Sequence, residues 1–136
     1  MSRFWPTLLC ALLAACSAAE PPLLVEDVVL TRPLPGAHMG AGYMTLRNTT
    51  AEPISINRVT SPDLVSVAMH ESVVDDGIAR MHELQEIIIP PQQSVVFAPG
   101  GKHLMLRYPA ATADFVTLQF FADTAMLLSM QVRIEE

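Results

Sequence analysis

The residues best suited to chemistry in this 136-residue chain are histidines and methionines. His103 and Met105 are separated by one leucine, and residues i and i+2 of a strand point to the same face. Upstream, His70 and Met81 lie on either side of Asp76-Gly77. An Asp-Gly pair favours a tight hairpin, because Gly readily adopts the positive φ that such turns need. The sequence therefore predicts two His/Met pairs on adjacent β segments.

Imidazole and thioether donors together point to one metal above others. Soft thioethers with imidazole favour Cu(I), whereas Ca²⁺, Mg²⁺ and Mn²⁺ prefer oxygen ligands and structural zinc sites generally use Cys or His. A thioether also provides a soft ligand without a thiol that an oxidising compartment would convert to a disulfide. From spacing alone an alternative stays open, because a single Met is usually core filler and a single exposed His is usually a surface residue.

The elements that position these residues are predicted to be short β-strands. From Leu23 onward, alternating or β-branched runs are separated by turns rich in Pro, Gly, Asn and Asp, which is typical of an all-β sandwich or barrel. No 3.6-residue apolar period persists, so helix is expected only as a minor element. The predicted strands are approximately Val25–Thr31, Gly42–Asn48, Ile54–Val59, Leu64–Ser72, Ile78–Leu84, Ser94–Phe97, His103–Tyr108, Phe115–Phe121 and Leu127–Ile134.

The N-terminus has the pattern of an export signal. Arg3 is followed by an apolar run from Phe4 to Ala15, which is too short for a membrane-spanning helix of about 20 residues. The run ends in Leu13-Ala14-Ala15-Cys16, which resembles the bacterial lipoprotein signal in which the cysteine is lipidated. Ordinary cleavage near Ala19 is the alternative. We predict a lipoprotein anchored through Cys16 in the periplasm or cell envelope.

Composition and cysteine usage narrow the functional classes. With 8 Lys+Arg against 14 Asp+Glu and a formal net charge of −6, the chain is not expected to bind nucleic acid. We predict a signal peptide over residues 1–15, a tether over 16–22 and one β-domain over 23–136. Both cysteines fall within the first sixteen residues, so after cleavage this domain has no thiol to serve as nucleophile or metal ligand.

The spacing of the His and Met residues resembles the signature of the periplasmic copper chaperone family PCu(A)C. That signature is His with an optional adjacent Met, ten residues, Met, twenty-one residues, then His-x-Met. Here His70, preceded by Met69, is followed by ten residues and Met81, then by twenty-one residues and His103-Leu104-Met105. The segments 40–46, 76–81 and 99–106 also look like sequences of that family. The resemblance covers nearly all of the chain after the signal peptide.

The resemblance implies a single cupredoxin-like Greek-key β-sandwich that binds one Cu(I) through His70, Met81, His103 and Met105. It implies a metallochaperone rather than an enzyme. Its recipient would be a copper-centre protein such as a cytochrome oxidase subunit, in concert with a thioredoxin-like thiol copper chaperone. His38 and Met39 are interpreted as ordinary loop residues, and an accessory pair of metal donors is the alternative for them.

Two other functional classes are weaker alternatives. A blue-copper redox protein would need a Cys thiolate, which the predicted domain lacks. The other alternative is a metal-free envelope lipoprotein that acts as a protein-interaction module. In that case the match of the His and Met spacing to the copper chaperone signature would be coincidental.

Overall fold

The computed structural model describes residues 20–111 and 113–135; the predicted signal peptide and Cys16 lie outside the described residues. The regular elements in this part of the chain are all strands, so the all-β prediction is confirmed, and no helix there is long and apolar enough to cross a membrane. The strands are β1 (Leu23–Thr31), β2 (Met39–Asn48), β3 (Ile54–Ile56), β4 (Arg58–Thr60), β5 (Ser66–Asp75), β6 (Ile78–Glu83), β7 (Ile87–Ile89), β8 (Ser94–Phe97), β9 (Lys102–Arg107), β10 (Phe115–Ala122) and β11 (Ala125–Glu135).

Alternation of apolar and polar residues explains why these segments form half-buried strands. In β10, Val116, Leu118 and Phe120 are fully buried, while the residues between them are partly exposed. Successive side chains of a strand point to opposite faces, so this pattern buries one face and leaves the other accessible. Phe120 and Leu104, from β10 and β9, belong to one continuous apolar core. Distant strands of the sheet therefore pack against each other across a shared interior.

The strand order places the chemistry-bearing strands at one end of a long sheet. That order is β4-β10-β11-β1-β2-β9-β5-β6, with β8 paired to β2, and β3 and β7 form a separate two-stranded sheet. The β1–β11 pairing is parallel, and the other pairings are antiparallel. As a result β9 lies between β2 and β5, and β6 is the last strand of the sheet.

One predicted strand is wrong, and one strand was missed. The segment predicted as one strand over Ile54–Val59 is divided between β3 and β4 at Asn57. Asn57 donates from its backbone N–H to the Phe121 carbonyl and exchanges side-chain hydrogen bonds with Asp123, so it is tied to the β10–β11 turn. The strand β7 was not predicted, because three isoleucines are too few to show an alternating pattern.

The predicted hairpin at Asp76-Gly77 is present. Both residues have positive φ, at 48° and 76°, and Asp75 pairs with Ile78 as the last pair of the β5–β6 ladder. A two-residue turn with φ > 0 at both central positions matches the right-handed twist of the strands that it joins. The turn therefore fixes the register between the strand that carries His70 and the strand that carries Met81.

Candidate metal centre

The pair on β9 has the geometry that strand alternation predicts. His103 and Met105 share one face of β9, while Leu104 and Leu106 are fully buried on the other. Met105 pairs with Ala41 of β2 on one side and with Ala68 of β5 on the other. Small alanine side chains on both flanks leave space above the strand for the longer imidazole and thioether groups.

His70 lies at the centre of the constellation. It is the direct cross-strand partner of His103, and the two ring centroids are 5.9 Å apart in an edge arrangement. On its other side His70 Nδ1 is 2.9 Å from Met81 Sδ. One imidazole therefore contacts both the second imidazole and a thioether.

One cavity is lined by three of the four donors. Its volume is about 310 Å³, and Met81, His103 and Met105 are among the residues that line it. A larger cavity of about 600 Å³ lies elsewhere, between Val28 and Val132, and contains none of these donors. The structure thus brings together all four residues that the sequence singled out: three line one cavity, and His70 contacts two of those three.

The four donors differ in accessibility. His103 is buried, with 8% of its surface exposed, and Met105 and His70 are half-buried. Met81 is 51% exposed and lies on the edge strand β6. The site therefore has a buried imidazole at its floor and an accessible thioether at its rim.

The orientation of His103 is fixed by a backbone carbonyl. The Nδ1–H group of His103 donates to the Gly101 carbonyl at 3.0 Å, an assignment that follows from the partner being an acceptor. The same carbonyl accepts the backbone N–H of Ser72 at 3.0 Å, and Gly101 N–H donates to the Ala98 carbonyl. With its proton on Nδ1, the ring presents the Nε2 lone pair as the free donor, the usual arrangement for a metal-binding histidine.

The donor set is neutral and free of carboxylates. Among the described residues, no group of three or more His, Cys, Asp or Glu is placed to hold a metal ion. Lys102 Nζ and Glu71 Oε1 form an ion pair at 2.8 Å. Lys102 precedes His103 in the chain and Glu71 follows His70, so both side chains lie on the other face of the sheet. Hard cations that require oxygen ligands are poorly served here.

Three neighbouring His and Met residues face away from the site. Met69 is buried in the core at 5% exposure, and His82 pairs with Glu71 on the opposite face, as strand alternation predicts. His38 is exposed and lines a different cavity, beside Pro35 and Tyr108, and its carbonyl accepts the Tyr108 N–H at 2.8 Å.

Met39 was wrongly interpreted as a loop residue. It is the first residue of β2, it is 44% exposed, and it lines the same cavity as Met81 and Met105. Alternation places Met39 on the face of Ala41, the residue that pairs with Met105. The strand begins at Met39 because this residue pairs with Arg107 of β9, a tertiary contact that the local sequence does not show.

Comparison with known proteins identifies the family. Residues 23–134 match the family described as "Putative lipoprotein LpqE-like". The chain belongs to the LpqE-like family.

Among curated relatives, "Putative lipoprotein Lxx21020" of Leifsonia xyli is 29% identical over 133 residues, covering 91% of this chain and 80% of that protein. "Uncharacterized protein RP573" of Rickettsia prowazekii is 28% identical over 87 residues, covering 61% of this chain and 48% of that protein. The chain thus spans about half the length of the Rickettsia relative.

Solved structures with this fold include copper-protein domains. The "Copper-bound PCuAC domain from PmoF2" superposes with a TM-score of 0.67 at 23% identity, over 86% of this chain and 95% of that one. The structure of "CuI-DR1885" from Deinococcus radiodurans gives a TM-score of 0.63 at 22% identity, over 89% and 83%. These likenesses confirm the cupredoxin-like fold of this LpqE-like chain.

Proposed function

We propose that this LpqE-like protein is a copper chaperone of the cell envelope that binds one Cu(I) through His70, Met81, His103 and Met105. The observation that carries the proposal is the convergence of two imidazoles and two thioethers on one sheet face, with His70 Nδ1 2.9 Å from Met81 Sδ. Solved neighbours described as copper-bound support the choice of metal. On this proposal the copper ion is cargo, and the protein is not an enzyme.

The spacing of His70 and Met81 is close to what a tetrahedral ion needs. Bonds of about 2.0 Å to nitrogen and about 2.3 Å to sulfur, as in tetrahedral zinc, place two donors about 3.5 Å apart. The nitrogen and sulfur at 2.9 Å therefore need to separate by only about 0.6 Å to admit such an ion. Two imidazoles and two thioethers bring no negative charge to compensate the metal ion. Cu(I) carries one positive charge and Cu(II) carries two, so Cu(I) is the less costly ion to desolvate at this site.

The exposure gradient suits transfer rather than storage. His103 is held at the floor by the Gly101 carbonyl, whereas Met81 lies at the accessible rim. An incoming ligand from a recipient can therefore replace Met81 first while His103 still holds the ion. We propose a copper-centre protein such as a cytochrome oxidase subunit as the recipient, in concert with a thioredoxin-like thiol copper chaperone, on the basis of the resemblance to PCu(A)C.

We propose further that a lipid on Cys16 holds the protein at the membrane. The names of the family and of the Leifsonia relative as lipoproteins support this location. The predicted division into a signal peptide (1–15), tether (16–22) and domain (23–136) belongs to the same proposal.

Native mass spectrometry of the processed protein, with and without Cu(I), tests the copper proposal directly. We expect one bound copper per chain and its loss in a His70→Ala/His103→Ala variant. A wild-type protein that takes up no Cu(I) would favour the metal-free interaction module instead.

A further inference from the structure

A third thioether shares the cavity with the four proposed donors. Met39 lines it together with Met81, His103 and Met105. Ala41 pairs with Met105, so Met39 is displaced from that pair by two residues along β2 and lies diagonally from Met105. Diagonal neighbours on one face are about 7–8 Å apart at the backbone, within reach of long side chains.

The backbone beneath Met39 is held rigidly. The preceding carbonyl, of His38, accepts the Tyr108 N–H, and the Ala41 N–H donates to Thr31 Oγ1 at 2.9 Å. Gly40 packs so closely that a Cβ there would lie 2.4 Å from the Thr31 carbonyl oxygen and 2.8 Å from Tyr108 Cε2. Met39 therefore has a flexible thioether side chain on a well-fixed backbone, at the rim of a cavity that two other methionines also line.

Packing does not account for Met39. Its side chain is 44% exposed and does not belong to the apolar core, in contrast to Met44 and Met69. Methionine has three rotatable bonds, so a sulfur at this position sweeps a wide arc over the cavity.

We propose that Met39 is an exchange ligand for Cu(I), an inference that rests on the proposed copper function. The S–Cu bond to Met39 forms as the S–Cu bond to the exposed Met81 breaks, while His70, His103 and Met105 stay bound. The copper remains Cu(I) and no proton moves, because thioethers carry none. Met39 would thereby keep the ion coordinated while the rim donor is released to a recipient.

A double-mutant cycle between Met39 and Met81 tests this exchange. Met→Leu removes the sulfur at nearly constant volume, and Met126→Leu is the matched control, because Met126 is 54% exposed on β11 and is not among the residues lining the cavity. With Met81 present, we expect Met39→Leu to change equilibrium Cu(I) affinity little. In a Met81→Leu background, where Met39 substitutes for the missing sulfur, Met39→Leu should cost about a further tenfold.

The spectroscopic readout uses ¹³C-methyl-labelled methionine. Adding Cu(I) to the Met81→Leu protein should shift the Met39 methyl resonance and leave that of Met126 in place. The exchange role would be overturned if Met39→Leu had the same effect in both backgrounds, or if the Met39 methyl resonance did not shift. In either case, Cu(I) binding by the wild-type protein would still support the copper function. Failure of wild-type protein to bind Cu(I) would instead refute both.

Discussion

His70 and Met81 contact each other diagonally across the β5–β6 hairpin. Their Nδ1 and Sδ atoms are 2.9 Å apart, although the direct partner of His70 is Glu83 and that of Met81 is Ser72. The two-residue turn sets this register, so the ten-residue gap between the two side chains is what places nitrogen and sulfur in contact. The spacing is therefore a geometric property of the hairpin, and it supplies half of the proposed donor set.

The thioethers should determine selectivity between copper oxidation states. Met105→Leu should weaken Cu(I) by at least about tenfold and Cu(II) far less, because a thioether is a soft ligand. Met81→Leu should act in the same direction but less strongly, since Met39 can take its place. His103→Ala should weaken both ions, since imidazole binds either. Parallel competition titrations with a Cu(I) chelator and a Cu(II) chelator measure this, with Met126→Leu as the control. A Met81→Leu/Met105→Leu protein that holds Cu(I) as tightly as wild type would remove the thioethers from the site.

The loop that orients His103 should affect metal affinity without contributing a ligand side chain. Gly100 has φ of +80°, and a Cβ there would meet nothing within 4 Å, so Gly100→Ala acts through backbone strain of about 1–2 kcal/mol. We expect relief of that strain to shift the adjacent Gly101 carbonyl, which accepts from His103. We expect Cu(I) affinity to fall by about 10–100-fold, as is usual when a partner of a ligating histidine is lost.

Gly36→Ala is the matched control for this experiment. Gly36 has the same φ of +80° and the same open surroundings, but it does not line the proposed site. Both variants should lose similar stability in urea unfolding, and only Gly100→Ala should lose Cu(I) affinity. Equal Cu(I) affinity in the two variants would show that the carbonyl does not tune His103.

Peroxide should weaken the proposed site through its exposed thioethers, Met81 and Met39. Oxidation adds an oxygen to the sulfur and removes it as a soft donor, and susceptibility follows exposure. Met81 and Met126 have similar exposed fractions, 51% and 54%, whereas Met44 and Met69 are buried. In the copper-free protein we expect Met81 and Met126 to oxidise at comparable rates by peptide mass spectrometry.

Bound Ag(I), a soft monovalent ion that peroxide does not oxidise and that stands in for Cu(I), should protect Met81 and leave Met126 unprotected. Methionine sulfoxide reductases should restore copper binding after mild oxidation. Protection of both residues, or of neither, would contradict ligation by Met81.

Local rules account for the parts of the site that were predicted from sequence. The i, i+2 relation gives the shared face of His103 and Met105, and the Asp76-Gly77 turn gives the His70–Met81 contact. The pairing of His70 with His103 joins strands 33 positions apart and has no local signature. The resemblance to the PCu(A)C signature, rather than periodicity, is what joins the two pairs into one predicted site.

The misses have equally specific causes. Met39 was assigned to a loop because the start of β2 is set by pairing with β9 and by the Tyr108–His38 backbone hydrogen bond, which are tertiary features. The short strand β7 exists because Ile87 and Ile89 are buried against the core, while Ile88 faces out. Three residues cannot reveal that pattern in advance.

Tyr108 should make stability sensitive to alkaline pH. Its hydroxyl donates to the Thr31 carbonyl at 3.1 Å, and burial raises the pKa of the phenol above its ordinary value, with Arg32 opposing the shift. The folded state therefore holds this proton more tightly than the unfolded state does. The resulting stabilisation is complete below about pH 10, the ordinary tyrosine pKa, and is lost as the pH rises through the folded value.

Tyr108→Phe isolates this contribution. At about pH 8 the variant should be less stable by about 1 kcal/mol, the usual net value of one hydrogen bond. Phenylalanine does not titrate, so the difference from wild type should shrink as the pH rises above about 10. Urea unfolding at several pH values measures both quantities, and a difference that grows with pH would contradict the sign of the shift.

Cys16→Ser should release the protein from membranes without altering its copper site. The carbonyls of Pro21 and Pro22 accept hydrogen bonds from Thr49, so the chain is already fastened to the domain there. Residues 17–20 then span at most about 14 Å when fully extended. Thr49 follows the C-terminal end of β2, whereas Met39 begins that strand ten residues earlier, which puts Met39, at the rim of the proposed copper site, roughly 30 Å from the attachment point at about 3.3 Å per residue. We therefore expect wild type in the membrane fraction and Cys16→Ser in the soluble fraction, with equal Cu(I) affinities.

A soluble wild-type protein with an unmodified N-terminus would refute the lipid anchor. A lower Cu(I) affinity in Cys16→Ser would show that the anchor and the cavity are coupled.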